Sequence, residues 1–228
     1  MNFLQFNIIV VCIGYAKELD ACLWYWKHSS YPRFSLTIVT TKKDLETLKV
    51  VQKYMSDLSA SYVLVENNWH NKGSAIQSGL SLLKAEPESY IILSDADILF
   101  PENFLNRLNL SLLEQEGIRS SMREDLDELD LELFFREYAG KPTDWAWKCL
   151  KRQILSPSPF MGWFLAFPYS VTSKIDFQVE HQGYDVVDWK VYGQLKSLGL
   201  KEKPLYLDNP PLHLYHGEKG KNWKGVEL

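Results

Sequence analysis

Four short apolar runs alternate with helical periodicity over the first hundred residues, and few folds satisfy that alternation. "FNIIVVCIG" is continuously apolar, as a strand buried on both faces must be. Leu19, Cys22, Leu23 and Trp26 then recur at helical spacing. "FSLTIVTT" reads as a second strand. Asp44 follows as the cap of a helix carrying Leu45, Leu48, Val51, Met55 and Leu58. "SYVLVE" is a third strand, "GSAIQSGLSLLKA" sets Ile76, Leu80 and Leu83 on one helical face, and "YIILS" is a fourth strand. Such alternation with short connections predicts an α/β fold, a mostly parallel central sheet flanked by helices.

The second half breaks the rhythm. Residues 102–113 read as a helix, "FMGWFLAFP" as a strand, and Asp188–Leu198 as a helix ended by Gly199. Residues 114–139 are highly charged and leucine-bearing, and read as a solvated helix face without chemistry. "SPSP" at 156–159 marks a loop. With 228 residues, 46% of them hydrophobic, the chain can bury one core, and no boundary within it suggests a second domain. A net charge of −4 offers no basic field for nucleic acid or an anionic membrane. Cys12, Cys22 and Cys149 are scattered and odd in number, so they read as reduced thiols of a cytoplasmic protein. Phe3–Ala16 is apolar enough to mimic a signal peptide but lacks a basic leader, the first basic residue being Lys17, and reads as the first strand. No run reaches the ~18 apolar residues of a spanning helix.

"YIILSDADILFPENF" carries the chemistry. Asp95 and Asp97 follow the fourth strand with only Ala96 between them. Ligands of open parallel sheets bind beyond the carboxyl ends of strands. Extended residues two apart point the same way, so both carboxylates can face one site. Adjacent carboxylates repel unless a proton or a cation intervenes. Hard divalent metals bridge carboxylates to phosphates, which suggests a nucleoside diphosphate ligand. The plain alternative is a polar turn. Other Asp-x-Asp or phosphate classes fit less well. Haloacid-dehalogenase phosphatases carry Thr or Val after the pair, on the first strand, whereas Ile98-Leu99 follows here on the fourth. No GxxxxGK[ST] run and no GxGxxG fingerprint occur.

In content and order the chain resembles the GT-A-fold, family 2-like glycosyltransferases. The resemblance rests on "CIGY" after the first strand, "NKGSAIQSGL" before the fourth, "SDADILFP", "GYDVVDWKVYGQLKSLGL" and "HLYH". It covers most of the sequence apart from 114–150. It implies one GT-A domain over 1–228. Residues 1–100 would form a nucleotide-sugar-binding half, 101–212 an acceptor-side half, and 213–228 a metal-ligand segment and flexible tail. The second strand of the family usually ends in an aspartate that grips the base, where this chain has Thr40-Thr41. Val187 stands at a usual glutamate and Asp185 at a usual glycine.

The resemblance implies roles. Asp97 would ligate Mn²⁺ or Mg²⁺ and bridge to the donor diphosphate. Asp95 would bind the ribose or a metal-bound water. Ile13, Tyr15 and Thr40 fall on the base side, with Tyr15 able to stack on the base. Asn71 and Lys72 would reach the base or a phosphate. Asp188 is either a helix cap or the general base that an acceptor hydroxyl needs as the new bond forms. One base and one metal-stabilised leaving group imply inversion. His213 and His216 face opposite sides if extended, and His216, beside Gly217, is the favoured metal ligand. Trp163 is either core or a sugar platform. The tail's own composition allows a disordered terminus, a weak basic patch for anionic lipid, or, as the favoured reading, a lid hinged at Gly217 and Gly220 whose Lys219, Lys221 and Lys224 meet the diphosphate.

The implied activity is an inverting, metal-dependent transfer of sugar from a nucleotide-diphosphate donor, expected to be a UDP-sugar, to a glycan or glycoconjugate hydroxyl in polysaccharide synthesis. A lipid-linked acceptor would bring the protein to a membrane surface. The alternatives are a sugar-1-phosphate nucleotidyltransferase, whose glycine-rich first loop is not visible in "CIGYAKE", and a non-catalytic nucleotide- or carbohydrate-binding relative.

Overall fold

The structure, a computed structural model, describes residues 2–65, 72–126, 128–141, 153–154, 163–178 and 186–214. Strands β1 (Phe6–Val11), β2 (Phe34–Thr41), β3 (Ala60–Val65) and β4 (Tyr90–Asp95) lie parallel, and β8 (Phe164–Pro168) closes the row antiparallel to β4. The order is β3-β2-β1-β4-β8. This is the mixed α/β sheet the alternating sequence predicts. β1 lies at its centre, and Val11 is in register with Asp95.

Successive strand residues alternate between two cores. Phe6, Ile8 and Val10 pack with Leu19, Leu23 and Trp26 of α1 (Ala16–Lys27), Val51 and Tyr54 of α2 (Leu45–Tyr54), and Phe104 and Leu108 of α4 (Phe104–Glu114). Ile9, Val39, Ile91 and Leu93 pack with Ile76 and Leu80 of α3 (Lys72–Ser81) and Val191 and Leu195 of α6 (Val186–Ser197). Burying one such aliphatic chain is worth ~1.5–3 kcal/mol, so the two layers fix where each strand ends. Trp163 is 1% exposed, with its ring against Phe100 and Phe164, and belongs to the core rather than to a sugar platform.

Asp44 caps α2 as expected. It accepts from the Thr47 amide at 3.1 Å and from the Thr47 hydroxyl at 2.7 Å. The same carboxylate accepts the Gly14 amide at 2.6 Å, which pins the loop between β1 and α1. Helix α6 begins at Val186, so Asp188 lies inside its first turn and is not its N-cap. Gly199, at φ +80, ends that helix as expected.

The charged stretch at 114–139 is not a solvated helix face. Ile118, Arg119, Ser120, Ser121, Glu124, Asp125, Leu126 and Phe134 are all buried. Arg119 bonds back to the Ser111 carbonyl at 2.7 Å and to the Gln115 carbonyl, satisfying the last turn of α4. The chain then pairs with Ala166, Glu202 and Leu205. It continues as β6 (Glu124–Asp125) in a second sheet ordered β5-β9-β6-β7. The other members are β5 (Ile98–Leu99), β9 (Leu212–His213) and β7 (Gln153–Ile154). A small third core of Tyr25, Leu99, Leu126, Phe134, Leu212 and Leu214 lies beneath it.

Two glycines set a test of the packing. A Cβ on Gly79 of α3 would stand 3.0 Å from Ile9 Cγ2 and 3.0 Å from Val39 Cγ2, so that helix sits on the sheet at its closest approach. A Cβ on Gly193 of α6 would meet nothing within 4 Å among the described residues. Gly79→Leu should cost about 1–3 kcal/mol by overpacking. Gly193→Ala should stabilise by roughly 0.5–1 kcal/mol through helix propensity. Urea denaturation of both variants checks the opposite signs.

Candidate active site

The carboxyl ends of β1 and β4 open where α3 and α6 begin. Lys72 is the first residue of α3. Its Nζ donates to Asp95 Oδ1 at 3.0 Å and to Asp188 Oδ2 at 3.0 Å. Asp95 ends β4 and Asp188 lies in the first turn of α6, so one ammonium joins three elements. The Lys72 and Asp188 side chains are 17% and 12% exposed. Burial works against the Lys72 charge, but the Asp188 and Asp95 carboxylates outweigh it and hold the ammonium well above the usual lysine range.

Asp97 turns away from this triad toward β9. Its Oδ2 lies 3.4 Å from His213 Nε2. His213 Nδ1 lies 3.0 Å from Asp125 Oδ1. Arg123 Nε stands 3.0 Å from the same Asp125 oxygen, a charge contact whose alignment is poor for a hydrogen bond. Desolvation disfavours a charged His213, yet Asp97 and then the Asp125 hydrogen bond prevail, and its pKa is pushed up to about 9. The backbone fixes the meeting. Leu214 donates to the Asp97 carbonyl at 2.9 Å, and Leu126 to the His213 carbonyl at 3.0 Å.

The two aspartates thus share a site but not a partner. Asp95 is bound by Lys72 and Asp97 by His213. Tyr15 sits nearby, half-buried. Burial first, then the charges of Asp97 and Glu18, push its phenol upward. Ile13, one residue before the pinned Gly14, lies on the same loop. Thr40 is wholly enclosed at 0% exposure, so its hydroxyl is not presented to a ligand in this structure. Asn71, Asp185, His216, Lys221 and the whole tail from 215 lie outside the described residues. Sequence reasoning missed Asp125 and Arg123, and it ranked His213 below His216. The only signal was an Arg-Glu-Asp run inside a stretch of similar charge.

A divalent ion fits the Asp97–His213 pair. Two donors bound to one ion at ~2.1 Å stand roughly 3.0–3.4 Å apart, the spacing seen here. Among the described residues no three such side chains stand together as a metal site.

Residues 7–117 match the model of glycosyl transferase family 2. No curated protein matches the chain by sequence. Among solved structures it is similar to residues 1–349 of TarS from S. aureus in complex with UDP-GlcNAc. The TM-score is 0.70 at 13% identity, covering 99% of this chain and 62% of that one. It is also similar to the mannosyltransferase PcManGT from Pyrobaculum calidifontis in complex with GDP-Man and Mn²⁺. Here the TM-score is 0.65 at 16% identity, covering 94% of this chain and 58% of the other. The chain has the GT-A fold, and its first half matches glycosyl transferase family 2. It spans about three fifths of the length of those two structures. In this GT-A chain the matched segment holds β1–β4, Lys72, Asp95 and Asp97. Asp125, Asp188 and His213 lie beyond it.

The Lys72 clamp is open to a thermodynamic cycle. Lys72→Met and Asp188→Asn, made singly and together, should show a coupling of about 0.5–3 kcal/mol in urea denaturation. Additive effects would mean that the ion pair is not formed in solution.

Proposed function

We propose that the chain is an inverting, metal-dependent glycosyltransferase that moves a sugar from a nucleoside-diphosphate donor to a glycan or glycoconjugate hydroxyl. The observation that carries this reading is Asp188 held across Lys72 from Asp95 at the strand ends, with Asp97 and His213 beside them. The UDP-GlcNAc in TarS and the GDP-Man and Mn²⁺ in PcManGT support a nucleotide-sugar donor and a divalent ion. A UDP-sugar remains the expected donor. No helix among the described residues is long and apolar enough to cross a membrane. A cytoplasmic enzyme acting on a lipid-linked acceptor at a membrane surface agrees with that.

The residues divide the work. Asp97 and His213 would hold the ion, and Asp95 would meet the ribose or a metal-bound water. The ion, when bound, supplies Lewis-acid stabilisation of the leaving nucleoside diphosphate. Tyr15 and Ile13 would line the base side. Without ligand, Lys72 neutralises Asp188. A diphosphate draws the ammonium away, and Asp188 is then free to accept the acceptor hydroxyl's proton as the oxygen attacks. Direct attack by one activated hydroxyl inverts the anomeric carbon. Donor binding thereby switches on the base.

Two substitutions test this. Asp97→Asn should keep the fold and abolish metal-dependent nucleotide binding, read by thermal shift with UDP, GDP and dTDP with and without Mn²⁺. Asp188→Asn should leave donor affinity nearly intact and slow transfer by about 10²–10⁴-fold in a screen of nucleotide sugars. Undiminished transfer by Asp188→Asn would remove it as the base. Wild-type binding without any turnover would indicate a non-catalytic relative.

A further inference from the structure

We infer that Asp125 is a positioning residue, holding His213 so that the imidazole Nε2 faces Asp97 and completes a two-donor seat for a divalent cation. The inference rests on the nucleoside-diphosphate reading above and adds to it a residue from the charged stretch that carries no chemistry in the sequence.

The argument begins with register. β6 and β9 run parallel, with Asp125 opposite His213. Side chains opposite one another in a sheet share a face, so carboxylate and ring meet without a search. His213 Nδ1 is 3.0 Å from Asp125 Oδ1. An ionised carboxylate only accepts, so Nδ1 carries a proton, and any lone pair the ring offers must be on Nε2. Nε2 points at Asp97 Oδ2, 3.4 Å away.

The backbone removes the remaining freedom. The His213 carbonyl is held by Leu126, and the next amide by the Asp97 carbonyl. Arg123 Nε, 3.0 Å behind Asp125, stands against that carboxylate and limits its rotation. All four side chains are largely buried, between 10% and 16% exposed, so water does not scramble the orientation. A ligand histidine whose other nitrogen donates to a carboxylate is a recurrent device for fixing ring orientation and raising ligand basicity. The competing account is a buried ion pair that only ties the second sheet together.

The test uses the full chain with Mn²⁺ and UDP, and in parallel Mn²⁺ and GDP. Pulsed electron paramagnetic resonance of the bound Mn²⁺ should show ¹⁴N coupling in the wild type and none in His213→Gln. Asp125→Ala should weaken Mn²⁺ binding by about 10–100-fold, the usual loss when such an outer partner is removed. Asp125→Asn, which still accepts from Nδ1, should restore most of the affinity. Asp125→Glu keeps the charge but displaces it, and should weaken Mn²⁺ without lowering the melting temperature, which keeps the test decisive if Asp125→Ala does not fold. Absent ¹⁴N coupling in the wild type, or wild-type Mn²⁺ affinity in Asp125→Glu or in folded Asp125→Ala, overturns the inference while nucleotide binding persists. Failure of both nucleotides to bind with Mn²⁺ instead overturns the functional reading, and this inference with it.

Discussion

Everything at the site depends on keeping buried carboxylates apart with cations. Asp188, Asp97 and Asp125 lie where the solvent is thin, and the more exposed Asp95 joins them at the rim. Unpaired, a carboxylate in such a place would lose hydration without compensation. Lys72 stands between Asp188 and Asp95, and His213 between Asp97 and Asp125, with Arg123 behind. The signs alternate along the whole chain of contacts. Such pairs are weak evidence for stability, because desolvation cancels much of the attraction. What they provide is geometry: acidic groups assembled in advance, which under the proposed function would exchange an internal cation for one that arrives with a ligand.

That arrangement asks for support from far along the sequence. The parallel sheet supplies Asp95 and, through the start of α3, Lys72. It cannot supply His213, which belongs to a strand of two residues between two others as short. Isolated strands of that length would not persist. They persist here because Leu126, Phe134, Leu212 and Leu214 pack over Leu99 and Tyr25, giving the second sheet a small core of its own. The charged stretch after α4 is therefore the wall that turns β9 toward Asp97. Its charges are needed on one edge and its leucine and phenylalanine on the other.

This division explains what the sequence made legible. The four parallel strands announce themselves because a strand buried on both faces has nowhere to place a polar residue, so its boundary shows wherever one occurs. Asp95 and Asp97 stand out for that reason, and Asp188 because a helical pattern begins around it. Residues 118–126 carry no comparable signature. Arg119, Glu124 and Asp125 are buried by partners up to 88 positions away or by the end of α4, and local periodicity cannot report such partners. Trp163 illustrates the opposite case, where a residue type suggestive of sugar binding is claimed by Phe100 and Phe164.

The departure at the end of β2 has a structural sequel. Where family 2-like enzymes usually place an aspartate that grips the base, this chain has Thr40, enclosed and out of reach. The next carboxylate along the chain is Asp44, and it is fully committed. It caps α2 through Thr47 and holds the Gly14 amide, and it is only 4% exposed. A carboxylate so engaged shapes the loop of Ile13 and Tyr15 instead of reading a base edge itself. Under the proposed function, base selection would fall to the loop's backbone and to stacking on Tyr15. Stacking discriminates less than a hydrogen-bonded carboxylate, since every base has a flat face. Uracil and guanine donors should accordingly be separated by the shape of this loop more than by a single charged contact.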